Sequence, residues 1–144
     1  PILTHRCQMI YWISLKENRV HLLLDTHIYL WWLMNDRHLS AKARSLIMDA
    51  EKIYVSSASI WEAAIKKNLG KLDVDMDELI CSIESEGFFE LPVTVRHAAR
   101  IAELENHHRD PFDRILIAQA LSEPLRILTA DQHLVPYTEL VELV

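Results

Sequence analysis

The chain contains very little glycine and very little cysteine, with two of each among its 144 residues. Phosphate-binding loops of the Rossmann and Walker types need several closely spaced glycines, so the sequence excludes both. Cys7 and Cys81 show neither the spacing of a disulfide framework nor that of a zinc site, which favours a reducing, cytoplasmic setting. We therefore expect neither a glycine-rich nucleotide loop nor a cysteine-based metal site.

Long apolar segments are missing as well. The longest uninterrupted run, residues 28–34, is far shorter than the roughly 20 residues of a transmembrane helix. Residues 9–13 are apolar, but no small-residue cleavage pattern follows them, so we predict no signal peptide. Half of the residues are hydrophobic and a quarter are charged. This balance predicts a folded, water-soluble domain with its own core and no membrane partner.

Positive charge is in short supply, since the formal net charge is −6. At first sight this argues against a nucleic-acid partner, because phosphate backbones are bound by Lys and Arg. Bound cations, however, would cancel part of the charge if several acids share a metal site. Basic residues near the candidate acids would then be free to touch such a substrate: Lys66, Lys67, Lys71, Arg109 and Arg114. The remaining acidic charge would suit a basic protein partner.

The stretch around which the chain is organised is residues 107–120. Asp110 has the position of a helix N-cap, Pro111 suits the first helical position, and Asp113 falls in the first turn. The following turns are almost wholly apolar, which predicts a helix packed on a sheet with only its N-terminus reaching solvent. Asp110 has the simpler alternative of acting only as a cap.

Two further acids directly follow predicted strands. Asp25 ends the run 20–24, and Asp131 comes just after the run 125–129. In open α/β sheets ligands bind beyond the carboxyl ends of the strands, so these are expected places for functional acids. Each acid has the alternative role of capping the helix or turn that follows it.

Glu62 is conspicuous because it stands in an otherwise apolar part of the helix predicted to end near Gly70. Two interpretations remain open for it. Helical spacing places Glu62 and Lys66 on one stripe, so an exposed i,i+4 ion pair is as good an interpretation as a site acid.

Three histidines suggest zinc at first sight but lack ligand spacing within one element. For His97, His107 and His108 we predict local capping or RNA contact instead. The first of them lies in a helix predicted over 94–104. The inward side of that helix is predicted to carry four apolar residues: Ala98, Ile101, Ala102 and Leu104.

The predicted order of elements is strand, two helices, strand, two helices, strand, two helices, strand. Strands followed by helices indicate a three-layer α/β/α sandwich with a mostly parallel central sheet. The strands are predicted at 20–24, 52–56, 88–91 and 125–129, with a possible edge strand at 140–144. Right-handed crossovers gather the strand ends on one edge, where the four acids would meet. Like charges raise one another's pKa, and a hard cation such as Mg²⁺ would relieve this repulsion.

An ordered set of short motifs runs through the chain: LLDTH at 23–27, SIWE at 59–62, HRDPFDR at 108–114 and TAD at 129–131. Together they resemble the PIN domain, and closely the VapC-type toxin ribonucleases of bacterial toxin–antitoxin pairs. The resemblance covers residues 20 to about 137. It implies that Asp25, Glu62, Asp113 and Asp131 are the metal-site acids. It also implies that Asp110 is an auxiliary ligand and that the hydroxyl of Thr129 supports the site.

The activity implied by the resemblance is Mg²⁺-dependent endoribonuclease cleavage of RNA, with Mn²⁺ as a substitute. One ion held mainly by Asp25 and Asp113 would make a water more acidic, and a second ion recruited with the substrate would steady the leaving oxygen. Glu62 or Asp131 would orient or deprotonate the water. Lys66, Arg109 and Arg114 are the candidate RNA contacts.

The partners implied by the resemblance are a small antitoxin, whose tail blocks the acidic cleft, and a second copy in a homodimer. Trp31 and Trp32 are candidate anchors for the antitoxin, with core packing as the alternative. Family chains usually begin near Val20, so we predict that residues 1–19 are an extension and that 20–144 form the domain. Upstream sequence read through from an alternative start is one source of such an extension.

The main rival to the nuclease is a non-catalytic PIN-like scaffold that keeps the fold and binds a partner. A phosphotransfer fold also gathers acids at strand ends. A phosphatase of the haloacid-dehalogenase type, however, needs a second Asp two residues after Asp25, where His27 stands.

Overall fold

The computed structural model describes residues 20–144, so the predicted extension, residues 1–19, lies outside the described residues. The strands are β1 His21–Leu24, β2 Lys52–Ser56, β3 Phe89–Leu91, β4 Arg126–Thr129 and β5 Val141–Leu143. The α-helices are α1 Thr26–Met34, α2 Ala41–Asp49, α3 Ser57–Asn68, α4 Met76–Ser85, α5 Val95–Arg100 and α6 Pro111–Ser122. Two 3₁₀ helices complete the order: Ile101–Glu103 after α5, and Gln132–Tyr137 after β4.

The five strands form one parallel sheet in the order β3-β2-β1-β4-β5, with β1 at its centre. Leu23 of β1 is in register with Tyr54 on one side and with Ile127 on the other. The predicted parallel α/β sandwich is confirmed, and the predicted C-terminal edge strand is β5. Because the strands are parallel, the ends of β1, β2 and β4 lie along one edge of the sheet.

The core has two parts, one on each face of the sheet. Successive side chains of a strand point to opposite faces, so Leu22 and Leu24 join one buried cluster while Leu23 joins the other. The first cluster includes apolar residues of α1, α2 and α4, and the second includes those of α6. A strand buried on both faces explains why β1 reads as the uninterrupted run HLLL.

The predicted helix boundaries hold where a capping residue marks them. Ser40 Oγ accepts the backbone N–H of Ala43, and Ser56 Oγ accepts that of Ala58. The two glycines follow α3 and α4, and both have positive φ, +72° at Gly70 and +74° at Gly87. Glycine adopts this conformation without strain, so α3 stops near Gly70, as the sequence predicts, and α4 stops just before Gly87.

The helix predicted over 94–104 is partly wrong. It is an α-helix only from Val95 to Arg100 and then tightens into the 3₁₀ turn. Ala98 and Ala102 are exposed rather than inward, because the inward positions are His97, Ile101 and Leu104 and each alanine lies one position beyond that stripe. The buried residue is His97, whose ring accepts the backbone N–H of Thr94 in a capping box. The predicted capping role of this histidine is confirmed.

Every helix among residues 20–144 is too short or too polar to traverse a bilayer. This agrees with the absence of a long apolar run in that part of the sequence.

Replacing Leu23 by Ala tests the central position of β1. The side chain is fully buried between two neighbouring strands and α6, so we expect the free energy of unfolding to fall by about 2–5 kcal/mol. Urea denaturation measures the loss. The matched change Met48→Ala, at a side chain that is 76% exposed on α2, should cost less than about 0.5 kcal/mol. Equal losses for both variants would contradict the assignment of β1 to the core.

Candidate active site

Asp25 is held at the point where β1 passes into α1. Its backbone N–H donates to the carbonyl of Leu128 at 3.1 Å, so the residue is tied to β4. Oδ1 accepts the backbone N–H of Ile28 at 2.8 Å, and Oδ2 accepts the hydroxyl of Thr129. The predicted capping role is therefore real, and it coexists with a position at the sheet edge. The support predicted for Thr129 is seen as a direct hydrogen bond.

The carboxylate of Asp25 is only 5% exposed. Burial raises its pKa above the ordinary value, while the hydrogen bonds from Thr129 and Ile28 and the nearby His27 oppose the increase. The charge of Glu62 raises the pKa of Asp25 further. Two acids thus repel each other in a poorly hydrated place, which is the condition that a bound cation relieves.

Glu62 reaches this region from the middle of α3. Its Oε1 lies 2.7 Å from Thr26 Oγ1, which also lies 3.0 Å from Ser59 Oγ. A hydroxyl has one hydrogen, and the shorter contact to the carboxylate takes it. Oε2 is 2.9 Å from Lys66 Nζ. The i,i+4 pair with Lys66 therefore forms, but the residue is only 9% exposed, so the interpretation as an exposed surface pair is wrong.

Asp113 lies in the first turn of α6. The N-cap of that helix is Asp110, whose Oδ1 accepts the backbone N–H groups of Phe112 and Asp113 at 2.9 and 3.1 Å. The capping role of Asp110 is confirmed, and its role as an auxiliary ligand remains a prediction. Burial raises the pKa of Asp113 to about 6, opposed by a hydrogen bond from His108 and increased by the charges of Asp110 and Asp131.

Asp131 is the most open of the four acids, with a side chain that is 41% exposed. Its backbone N–H donates to Thr129 Oγ1 at 3.0 Å, and its Oδ1 accepts the backbone N–H of His133 at 2.9 Å. The ring Nδ1 of His133 lies 2.8 Å from the same oxygen. Partial burial acts to raise the pKa of Asp131, but the two contacts with His133 outweigh it and hold the pKa below its usual value.

Hydrogen bonds through two threonines and electrostatic interactions link the four predicted acids into one group. Thr129 Oγ1 bonds to both Asp25 and the backbone of Asp131. Thr26, the residue after Asp25, bonds to Glu62. The negative charge of Asp131 raises the pKa of Asp113. Acids that are as much as 106 positions apart in the sequence thus meet at the carboxyl edge of β1 and β4.

The donor chemistry of this group fits a hard divalent cation, because every member offers carboxylate oxygens and two of them are nearly buried. Within residues 20–144, however, no three His, Cys, Asp or Glu side chains are arranged as a ready-made metal site. Each acid is paired with a protein donor instead: Asp25 with Thr129, Glu62 with Lys66, Asp113 with His108 and Asp131 with His133. Mg²⁺ typically takes one or two carboxylates and keeps several waters, so a complete protein cage is unnecessary.

The three candidate RNA contacts differ in availability. Lys66 is paired with Glu62, and Arg114 donates from Nη1 to the carbonyl of Glu105 at 3.0 Å and to Tyr137 at 3.1 Å. Arg109 is exposed, and it forms no hydrogen bond or ion pair with another residue of the 20–144 range. Their contact with RNA remains a prediction, for which Arg109 has the freest side chain.

Sequence reasoning missed several supporting residues. Thr26 was given no role in the site, yet it bonds to Glu62. His108 was assigned to capping or RNA contact, yet its Nε2 lies 3.0 Å from Asp113 Oδ2. The ring of His108 also stacks on that of His133, with centroids 6.2 Å apart. His108 is part of the motif HRDPFDR, which also contains Asp113, but no periodicity in the sequence identified these two residues as hydrogen-bond partners.

Asp113→Asn in metal-free protein tests the electrostatic strain at the site. The folded chain binds the Asp113 proton more tightly than the unfolded chain, since the pKa rises from 3.8 to about 6. The resulting loss of stability therefore develops as the pH rises through this interval and is complete above it. We expect the variant to be more stable than the parent at pH 7.5 in EDTA, by about 1–3 kcal/mol, and no more stable at pH 3.5.

Urea denaturation at the two pH values measures this difference. Asp77→Asn, at an exposed acid of α4, serves as the control and should leave stability unchanged within about 0.5 kcal/mol. Destabilisation of the Asp113 variant at pH 7.5 would mean that the carboxylate is stabilised by its surroundings rather than strained by them.

Comparison with known proteins identifies the family and the fold of the chain. The PIN domain family model matches residues 22–139. The chain is 27% identical over 114 residues to Ribonuclease VapC22 of Mycobacterium tuberculosis, an alignment that covers 78% of this chain and 88% of that protein.

Two solved structures share the fold. VapBC2 from Rickettsia felis, bound to a DNA fragment from its promoter, superposes with a TM-score of 0.63 and 13% identity, covering 87% of this chain and 99% of that one. A toxin–antitoxin complex from Klebsiella pneumoniae gives a TM-score of 0.59 and 20% identity, with coverages of 84% and 95%. The family model spans nearly all of the described residues, and the chain therefore belongs to the PIN domain family.

Proposed function

We propose that this chain is a Mg²⁺-dependent endoribonuclease and the toxin of a toxin–antitoxin pair. The observation that carries the proposal is the connected group of Asp25, Glu62, Asp113 and Asp131 at one edge of a parallel sheet. Membership of the PIN domain family and similarity to a protein named as a ribonuclease support the reaction class. Structural similarity to toxin–antitoxin complexes supports the biological setting.

Asp25 and Asp113 are the residues that would hold the ion. Both are largely buried and both have a raised pKa, so they gain the most from a positive neighbour. When bound, Mg²⁺ supplies Lewis-acid chemistry, neutralising phosphate charge and making an attacking water more acidic. Mn²⁺ has similar coordination preferences and should substitute for it.

The remaining roles in the reaction belong to side chains of the protein. Asp25 is held rigidly because both of its oxygens accept hydrogen bonds. We assign the orientation of the attacking water to Asp131, whose Oδ2 accepts no hydrogen bond from any residue in 20–144. Glu62 is held by Thr26 and Lys66 and completes the negative potential that attracts the cation. Arg109 is the residue we expect to touch the RNA backbone.

A basic antitoxin has a suitable surface beside the end of α1. A cavity of about 370 Å³ is lined by both apolar and acidic residues. The apolar residues are Leu30, Leu33, Met34, Val74 and Leu79, and the acids are Asp73, Asp75, Glu78 and Glu86. This arrangement suits a segment with alternating apolar and basic side chains, and it agrees with the predicted preference for a basic partner.

The two tryptophans of α1 contribute mainly to packing. Trp31 and Trp32 are partly buried against the first core cluster. Trp31 stacks on His38, and the indole of Trp32 donates to Glu86 at 3.1 Å. Core packing, the alternative interpretation of these residues, therefore covers much of the surface of each side chain. The exposed remainder of each indole is available to the antitoxin.

A second copy of the chain has a suitable surface beside the start of α6, in a groove whose lining includes Arg109. This groove, of about 630 Å³, runs between α3, α5 and α6 and includes Trp61, Val93 and Ile115. Trp61 is 62% exposed and rests edge-on against Phe112. An exposed apolar patch of this kind is typical of interaction surfaces. We propose that it is the contact of the predicted homodimer in the cytoplasm.

The alternative function is a non-catalytic scaffold that binds a partner through the same fold. The presence of all four acids favours the nuclease, because a scaffold has no use for repelling carboxylates in a poorly hydrated place.

Incubating the purified chain with RNA in Mg²⁺, Mn²⁺ or EDTA tests the proposal. We expect cleavage in either metal and none in EDTA. Asp25→Asn, Glu62→Gln, Asp113→Asn and Asp131→Asn should each reduce the rate by at least about 100-fold, the upper range for residues that merely orient a ligand. Asp77→Asn is the matched control and should cleave normally.

Three results would count against the proposal. Cleavage that persists in EDTA or in the Asp113 variant would exclude the proposed site. A folded chain that binds its antitoxin and cleaves no RNA in either metal would favour the scaffold. Release of inorganic phosphate from a small phosphomonoester would instead indicate the phosphotransfer rival.

Arg109→Ala tests the assigned RNA contact. Loss of one phosphate contact should raise KM several-fold, leave kcat nearly unchanged, and reduce the slope of log KM against log salt concentration by roughly 0.7. Initial rates over a salt series measure both effects. Arg126→Ala is the control, because Arg126 begins β4 at the opposite end of the sheet and pairs with Glu142 at 3.5 Å. An unchanged salt dependence in the Arg109 variant would remove this residue from the interface.

A further inference from the structure

Tyr137, the last residue of the second 3₁₀ helix, is the centre of a small hydrogen-bond network beside the site. Its phenolic oxygen accepts the backbone N–H of His108 at 3.1 Å and Nη1–H of Arg114 at 3.1 Å. The same oxygen lies 2.8 Å from the ring Nδ1 of His108 and 3.1 Å from its carbonyl oxygen. The network therefore connects the second 3₁₀ helix to the loop that precedes α6.

Counting donors and acceptors decides how this network is protonated. A phenolic oxygen has one hydrogen and room for two accepted bonds. Two N–H groups, from His108 and Arg114, already take both accepting positions. Tyr137 must therefore donate, and the shorter contact is to His108 Nδ1. Nδ1 is then an acceptor, and the ring of neutral His108 carries its hydrogen on Nε2.

The tautomer of His108 determines how its ring interacts with Asp113. His108 Nε2 lies 3.0 Å from Asp113 Oδ2, so the tautomer set by Tyr137 is the one that donates to the carboxylate. Both side chains are largely buried, which limits competition from water. Oδ1 of Asp113 accepts no hydrogen bond from residues 20–144. One oxygen is held while the other is left for a ligand.

The geometry points to Tyr137 and Arg114 as residues that set the tautomer of His108, and to His108 as the positioning residue that orients Asp113 for a divalent cation. This inference rests on the proposed function, because it assumes that Asp113 binds the metal. Tyr137 is itself held by the edge of the His107 ring, with centroids 4.8 Å apart, and by Arg114 over its face. None of these residues needs to touch the RNA.

The primary measurement is the affinity for Mn²⁺ in the absence of RNA. The electron paramagnetic resonance signal of free Mn²⁺ reports how much of the ion remains unbound. His108→Leu should weaken binding about 10–100-fold, as expected for loss of a group that orients a metal ligand. Tyr137→Phe keeps the ring but removes the hydroxyl, and we expect a several-fold loss. His108→Gln offers an amide N–H near the position of Nε2 and should recover most of the affinity lost in His108→Leu.

A thermodynamic cycle separates positioning from general damage. Asp113→Asn should weaken Mn²⁺ binding strongly, and adding Tyr137→Phe to it should cause little further loss, because the hydroxyl acts through Asp113. His21→Gln is the matched control, since His21 pairs with Glu51 at 3.1 Å at the start of β1, away from the site. It should bind Mn²⁺ as the parent does.

The tautomer is observable directly by nitrogen NMR of the His108 ring. The parent should show a hydrogen on Nε2 and an unprotonated Nδ1, and Tyr137→Phe should show a mixture of the two tautomers. A purely structural role for Tyr137 would change the melting temperature while leaving the tautomer and the Mn²⁺ affinity unchanged.

Three outcomes would overturn the inference. The first is unchanged Mn²⁺ affinity in both Tyr137→Phe and His108→Leu, and the second is equal weakness of His108→Gln and His108→Leu. The third is a parent chain that binds no Mn²⁺. If the affinities follow the expected series but the parent cleaves no RNA, the positioning role stands and the proposed ribonuclease function fails.

Discussion

Repulsion among buried carboxylates is the constraint around which this molecule is built. Burial raises the pKa of both Asp25 and Asp113, and neighbouring acids raise it further. The fold tolerates this cost because each acid has a separate donor, such as Thr129 for Asp25 or Lys66 for Glu62. Lys66 offsets the charge of Glu62, whereas the hydroxyl of Thr129 is an uncharged donor to Asp25, so the four acids together keep a negative charge.

The parallel sheet explains how the acids come together. With β1 at the centre and β4 beside it, the residues that follow these strands lie next to each other. Thr129 sits between them, and its single hydroxyl contacts Asp25 and the backbone of Asp131. The N-termini of α3 and α6 lie at the same edge, and Glu62 and Asp113 lie within the first two turns of these helices. A rigid scaffold of this kind positions ligands more precisely than loops do.

The distribution of charge reconciles an acidic chain with the proposed RNA substrate. A sizeable share of the acidic residues lies either in the site or around the cavity near α4. Arg109 and Arg114 follow directly on the loop that carries His108, so positive charge is placed beside the negative pocket. Arg114 is occupied by Tyr137 and Glu105, whereas Arg109 is exposed. Net charge alone is therefore a poor guide to partners when acids are clustered.

Local sequence patterns predicted the strands and most helix boundaries and placed Asp25 and Asp131 directly after strands, because these features depend on hydrophobic period, caps and chain order. Spacing left the role of Glu62 open, and only the resemblance to the PIN domain assigned it to a site with the other acids. The tertiary structure decided which groups meet. Nothing in the spacing of His108, Asp113 and Tyr137 identifies them as one network, and the hydrogen bond from Thr26 of another helix to the buried Glu62 is equally invisible in the sequence. Ala98 and Ala102 were misplaced because the inward stripe of that segment includes the polar His97, which hydrophobic periodicity does not identify. Hydrogen-bond partners are chosen by distance and direction in space, and a one-dimensional pattern contains neither.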